Sequence, residues 1–473
     1  VTLIESEAIG TIGVGEATIP QIRLFNSGLG IDERAFLRET AGTIYLGIEF
    51  FGWGRKGERY FHGFGEVGRT IGLVPFYQYW LRHHGEGGAE DLEAFSANAL
   101  AAKLGRYGAA VGATARLPAS AYHLDAARYA NFLRRFAEER GVTRREGIVR
   151  DVRLNGESGT IESVALKDGT SIAGDLFIDC TGFRGLLIEE ALESGYEDWS
   201  HWLPCDRAIA LPSEGNGRLD PFTRSTAEDA GWRWEIPLQH RTGNGHVYSS
   251  AHLDDDTALE TLTANLPAPP LGEPRYLRFL TGKRREIWKK NCIALGLASG
   301  FLEPLESTSI HLIQAGIARL LALFPDRSFD PALAREFNRQ LDFEYAAIRD
   351  FLILHYHVTD RDGSDFWRHC RTMTIPDSLA EKIELFRASG RIVRHNTELF
   401  DVPSWLQVMW GQGMRPAAHH PMVDAASPDD LARYMAMNLE EVRGQVDALA
   451  PHRDYIARIC GTQNVGAVSE RAL

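Results

Sequence analysis

Between Gly10 and Pro20 the chain reads Gly10-Thr11-Ile12-Gly13-Val14-Gly15-Glu16-Ala17-Thr18-Ile19-Pro20. Crowded glycines leave backbone amides bare enough to approach a flat ligand closely, with the polar side chains of Glu16 and Thr18 beside them. A second group is Glu303-Pro304-Leu305-Glu306-Ser307-Thr308-Ser309, followed by an apolar helical pattern. Two acids and a Ser-Thr-Ser run before such a pattern mark a capped helix N-terminus. Free amides and the positive end of the helix dipole suit a small anion there, so the Thr308 and Ser309 amides are candidate donors to one. Glu303 reads as an acid that merely complements the dipole. Trp232 and Trp234, two apart in a strand pattern, point to one face. Glu5 ends the apolar run Val1-Thr2-Leu3-Ile4; an acid in that position either accepts from a ribose hydroxyl, as in dinucleotide-binding βαβ units, or simply ends a strand at the surface. His311, His355, His357, His419 and His420 lack metal-ligand spacing beside carboxylates, which predicts no metal.

Elements must carry these groups. Helical spacing is expected over 21–29, after Pro20 fixes the chain's exit from the loop. The alternating residues 45–53 predict a strand, 60–65 an aromatic loop, and 74–84 and 123–141 helices. Residues 143–178 read as strand–turn–strand, with Asn155-Gly156 and Asp168-Gly169 as hairpin turns. Residues 203–250 and 275–281 alternate like strands of one sheet, and 309–323 form a helix. Beyond about residue 331 the patterns are helical: 332–353, 378–389, 404–410 and 428–449. The composition shift at 325–330 marks the expected domain boundary.

Composition narrows the class of protein. The chain has 473 residues, 44% hydrophobic and 24% charged, which excludes a mainly disordered, fibrous or coiled-coil chain. No apolar run approaches the ~18 residues of a membrane span. The net charge of −13 disfavours nucleic acid. The densest basic stretch, Lys283 to Lys290, is expected to be a solvated face or an anion contact. Five scattered cysteines form neither a disulfide framework nor a zinc site and suit a reducing cytoplasm. Seven lysines against 44 arginines leave few positions for a catalytic lysine.

The Gly10–Pro20 string resembles the flavin-binding loop of the flavin-dependent halogenases, the family typified by tryptophan halogenases. Four further strings extend the resemblance: Phe177 to Gly185, the WxWxIP-like Gly231 to Pro237, Gly296 to Ser309, and Ser404 to Asp424. The resemblance implies an α/β, glutathione-reductase-type FAD-binding fold over residues 1–330, with an inserted substrate-side β-sheet at about 200–290. A helical substrate-capping module follows over 331–473. It further implies a first strand with GxGxxG ahead of Val1. In such a family reduced FAD, supplied by a separate flavin reductase, converts halide with O2 to hypohalous acid, which passes through a tunnel to an aromatic or indole-type substrate. By the resemblance Glu5, Gly13, Val14, Gly15, Glu16, Ala17, Thr18, Asp179, Gly182 and Gly296 bind the cofactor, and Thr308 and Ser309 the halide. Trp232, Trp234 and Pro237 wall the flavin from the substrate, His62 and Phe64 flank that substrate, and Glu306 is the active-site glutamate that assists substrate deprotonation or positions the halogenating species. A homodimer stays open.

One position departs from the family. Its lysine lies in a string like Thr-Phe-Lys-x-Gly-Ile-x-Phe, whereas this chain reads Thr43-Ile44-Tyr45-Leu46-Gly47-Ile48-Glu49-Phe50. A phenol donates a hydrogen bond to hypohalous acid but forms no chloramine. Strand alternation is expected to aim Tyr45 into the cavity of Glu306. Two alternatives to halogenation therefore stand: a flavoprotein monooxygenase on the same scaffold, or a homologue without activity.

Overall fold

The computed structural model describes residues 1–9, 15–109, 115–395 and 397–461. Gly13 and Val14 lie outside them. The alternating segment that begins at Tyr45 does not form one strand. Thr43–Tyr45 ends a three-stranded sheet with Glu16–Ala17 and Ala121–Leu124, and after Leu46 the chain enters a different sheet as Gly47–Phe51. Gly47 makes that crossing at φ +154°, where a Cβ would stand 2.3 Å from the His62 carbonyl oxygen. Only glycine tolerates both demands.

The second sheet has eight strands. Arg275–Arg278, Arg207–Ala210, Arg241–Tyr248, Gly231–Pro237 and Thr223–Glu228, with the short Ser213–Glu214 beside Arg241–Tyr248, come from the expected inserted region, but Gly47–Phe51 and Arg59–Gly63 complete it from far upstream. The residues expected as an aromatic loop at 60–65 are thus largely an edge strand, paired antiparallel as Ile48 with His62 and Gly47 with Gly63. Pairing of Ile48 with Thr223, which ties these two strands to the rest, joins segments remote in sequence, so neither composition nor local periodicity announces it.

The helices follow the periodicity more closely. Ser309–Ala322, Pro331–His357, Asp377–Ser389, Val402–Gly411 and Pro428–Asp447 occupy the expected stretches. The larger of two hydrophobic clusters among the described residues runs from Ala17 to Cys460. At its centre the rings of Trp53, Trp232, Tyr356 and Trp367 cluster with centroid distances of 5.4–6.3 Å from Trp53. The basic stretch is a solvated face only in part: Arg285 and Lys290 are exposed, but the two residues ahead of them are not. Lys283 and Arg284 are 3% and 5% exposed. Lys283 is paired to Asp342 at 2.7 Å, and Arg284 to Glu189 at 2.8 Å. Alternation along Gly282–Arg284 carries no sign of those remote acids. No described helix is long and apolar enough to cross a membrane.

Candidate active site

The Glu303–Ser309 loop is a tight reversal. Pro304–Glu306 make one 3-10 turn, Ser307 takes a left-handed conformation at φ +58°, and Thr308 caps Ser309–Ala322. A non-glycine residue held there stores strain, and such positions cluster at functional sites. The Thr308 side chain makes no capping bond, and its buried Oγ1 has no partner among the described residues. Ser309 faces a cavity. The first amides of this helix have no side-chain cap from Thr308, and the orphan donors of a helix start call for an external acceptor.

Glu306 is 2% exposed. His62 Nδ1 lies 3.0 Å from both of its oxygens, and His355 Nε2 lies 2.8 Å from Oε1. The His62 contact has the direction of a hydrogen bond, whereas that of His355 is a close ion pair. Burial alone would raise the Glu306 carboxyl, but the two imidazoles overcome it and hold it down to about 2. His62, expected to flank the substrate, thus stands beside Glu306. His355, set aside in the sequence for lack of metal spacing, reaches it too, from the long helix Pro331–His357.

Tyr45 is fully buried, with its hydroxyl 3.3 Å from Ser307 Oγ. Its ring packs between Phe64 at 4.9 Å and His123 at 4.5 Å. Burial pushes its phenol well above the ordinary range, and the Glu306 charge adds to this. His123 is itself fixed between Thr43 Oγ1 (3.2 Å) and Thr223 Oγ1 (2.9 Å), and burial lowers it to about 3. No local signal in the sequence pointed to it, since its neighbours come from three separate segments.

Glu303 is not a dipole-facing surface acid. It is fully buried, and its Oε2 accepts from Trp232 Nε1–H at 2.8 Å and from the Tyr356 hydroxyl at 2.6 Å. Burial pushes its carboxyl up to about 7. The acid thereby fixes the Trp232 indole. Trp234 on the same strand has room because residue 245 is glycine, where a Cβ would meet the ring at 2.0 Å.

Trp232 and Trp234 line a cavity of about 460 Å³ together with Gly15, Glu16 and Ala17 on one side and Gly296, Ser307 and Ser309 on another. Gly296 sits at φ +64°. Burial raises Glu16 to about 7. Glycine backbone, a mainly apolar wall and unclaimed helix amides fit the flat ring of a flavin with an anion beside it. Other expected cofactor residues are occupied elsewhere. The Asp179 carboxylate accepts from the amides of Thr181, Leu187 and Ile188, each at 2.9 Å. It shapes the turn around Gly182, from which Phe183 reaches the cavity. Thr18 Oγ1 donates to the Tyr122 carbonyl, the Pro237 carbonyl accepts from Thr43 Oγ1, and Glu5 is ion-paired with Arg144 and Arg134.

Known proteins share this architecture. The tryptophan halogenase family model matches residues 1–428. A tryptophan 6-halogenase from Streptomyces toxytricini is 33% identical over 97% of this chain and 92% of its own. A tryptophan 7-halogenase from Lentzea aerocolonigenes is 35% identical over 83% of this chain and 77% of its own. Among solved structures, a flavin-dependent halogenase from Xanthomonas campestris matches with a TM-score of 0.94 at 48% identity, covering 97% of this chain and 92% of that one. BrvH, a flavin-dependent halogenase from Brevundimonas sp. BAL3, gives 0.92 at 45% identity over 97% and 93%. Flavin-dependent halogenases are oxidoreductases that use FADH2 from a separate flavin reductase and a halide. A match along most of the chain in both sequence and fold has one explanation: this chain belongs to the tryptophan halogenase family of flavin-dependent enzymes.

Proposed function

We propose that this protein halogenates an electron-rich, indole-type ring, with its reaction centre at Glu306, His62 and Tyr45. The observation that carries the reading is the single turn joining Ser309, in the cofactor-sized cavity, to Glu306, held ionised between His62 and His355. Bound reduced FAD supplies, with O2 and halide, the hypohalous acid. Gly15, Glu16, Ala17 and Gly296 hold the flat ring. The Thr308 and Ser309 amides receive the halide. Trp232, fixed by Glu303, and Trp234 separate cofactor from substrate and keep water and organic substrate off it. The Tyr45 hydroxyl, next to Ser307 Oγ at 3.3 Å, donates to the hypohalous oxygen. The Glu306 charge stabilises the positive charge that grows on the ring as halogen adds. His62, with Phe351 and Phe400 at ring distances of 5.6 and 6.3 Å, provides aromatic surroundings for the substrate.

The test supplies the full-length protein with flavin reductase, NADH, FAD, bromide and an indole panel that includes free tryptophan. Brominated product in the mass spectrum is the expected result. Hydroxylated product without bromination favours the second reading, a monooxygenase, which rests on Tyr45 standing in place of lysine. NADH oxidation with no organic product sinks both.

A further inference from the structure

We propose that Trp234 is a site of self-halogenation: when no organic substrate is bound, hypohalous acid formed beside Ser309 places its halogen on C2 of the Trp234 indole. The inference rests on the halogenation reading above and adds a reaction which that reading does not contain.

The cavity wall offers this oxidant few targets. Cysteine and methionine sulfur are oxidised most readily in proteins, but among the described residues no cysteine, methionine, histidine or lysine lines the cavity that Ser307 and Ser309 share. Its electron-rich rings are the phenols of Tyr129 and Tyr345 and the indoles of Trp232 and Trp234. Burial pushes both phenols up to about 12, so neither supplies the phenolate that makes tyrosine strongly nucleophilic. Tyr345 is also held to Ser299 Oγ at 3.0 Å. An indole needs no ionisation, because its nitrogen feeds electron density into the neutral ring. The wall thus contains the same ring type as the proposed substrate.

The two indoles differ in access. Trp232 is 1% exposed, gives its N–H to Glu303 at 2.8 Å, and has the rings of Trp53 and Trp234 at 6.3 and 6.1 Å. Trp234 borders the same cavity and is only partly buried. Its six-membered ring is covered along one edge: Gly245 is its partner in the sheet, and a Cβ there would stand 2.0 Å from Cη2 and 2.1 Å from Cζ2. C3 carries the side chain. C2, beside the ring nitrogen, is therefore the most electron-rich carbon of Trp234 that still holds a hydrogen. A bromine put there narrows a cavity that already has a fixed shape, so the modified protein loses activity.

The step balances. C2 bonds to bromine as the bromine–oxygen bond of hypobromous acid breaks, its electron pair leaving with oxygen as hydroxide. The C–H electron pair returns to the ring, and the proton joins hydroxide as water. Carbon is oxidised by the two electrons that reduce bromine.

The experiment runs full-length protein with FAD, flavin reductase, NADH, bromide and catalase, without organic substrate, followed by trypsin digestion and mass spectrometry. Cleavage after Arg233 puts Trp232 and Trp234 on different peptides. The Trp234 peptide should gain bromine, or the bromide-dependent oxygen of the oxindole to which a 2-bromoindole hydrolyses. Excess indole should abolish the labelling, and free methionine, which captures hypobromous acid that escapes into solution, should not. Bromination activity tested afterwards should fall in step with the labelled fraction, and Trp234→Phe should keep more of its own starting activity through the same treatment. Should that variant fail to fold, the wild-type peptide map decides alone. Brominated indole from a protein whose Trp234 stays unlabelled without substrate overturns the proposal and leaves the halogenation reading standing. Label on Trp232, Tyr45, Tyr129 or Tyr345 instead, or label on Trp234 that methionine removes, also overturns it. Neither brominated indole nor brominated peptide sinks the halogenation reading, and this one falls with it.

Discussion

At Tyr45, size and charge pull in different directions. The ring fills a slot between Phe64 and His123 while the hydroxyl reaches Ser307. Tyr45→Lys replaces a neutral donor with an ammonium beside Glu306, and one charge-assisted hydrogen bond is worth about 1.5–3 kcal/mol. Bromination of indole should rise by roughly one to two decades, while Tyr45→Phe should lower it. Unchanged rates in both would place the donor to hypohalous acid elsewhere. Glu303 gives a second test at this scale. Its carboxyl, raised from 4.5 to about 7 in the folded protein, resists ionisation that the unfolded chain accepts. Stability should therefore be full below about pH 4.5 and fall by about 3 kcal/mol as pH rises to 7. Glu16, raised to about 7 as well, adds to the same slope, so the comparison must be with Glu303→Gln. Denaturant midpoints that run parallel for wild type and variant between pH 5 and 7.5 would rule the account out.

Among elements, the crossing at Leu46 matters most. It lets one short segment serve two sheets, placing Tyr45 at the end of the first and pairing Gly47 with Gly63 in the second. The same pairing sets His62 opposite Ile48. Gly47→Ala would push a methyl to 2.3 Å from the His62 carbonyl and 2.7 Å from Gly63 Cα. The strands must separate, at a cost of about 2–4 kcal/mol. Chemical denaturation should read that loss, and bromination should fall further than stability alone explains, because the His62–Glu306 geometry moves with the strand. Retained stability and activity would mean that this crossing does not position the site.

On the scale of the whole molecule, the helical C-terminal part completes the site. Gln407, on Val402–Gly411, accepts from the Gly63 amide at 3.0 Å and donates to its carbonyl at 3.1 Å. It stands in for the strand that the edge at Arg59–Gly63 lacks. Pro331–His357 delivers His355 to Glu306 and Tyr356 to Glu303 from adjacent positions. Gln407→Ala should cost about 1–3 kcal/mol by leaving buried backbone groups unpaired, read as a lower melting temperature, and should slow bromination through the neighbouring His62. A melting temperature within error of wild type would show that water or a shift of the helix satisfies the edge.

Local patterns in the sequence were sufficient for the helix that starts at Ser309, the strand that carries Trp232 and Trp234, and the long C-terminal helices. Each is encoded by neighbours in the chain, through a period of two or of 3.6 residues. What those patterns missed depends on contacts between separate segments of the chain. The break after Tyr45, the edge strand under His62, the burial of Glu303 and of Lys283, and the approach of His355 to Glu306 have no local mark. A buried charge is set by the partner that reaches it, and the partners here lie 53 (Tyr356 to Glu303), 71 (Trp232 to Glu303) and 244 (His62 to Glu306) positions away. Sequence alone thus named the residues with chemistry and the family they resemble. Only the packing of sheet against helix decided which of them share a proton, because burial and pairing, not residue type, fix the charge each one carries.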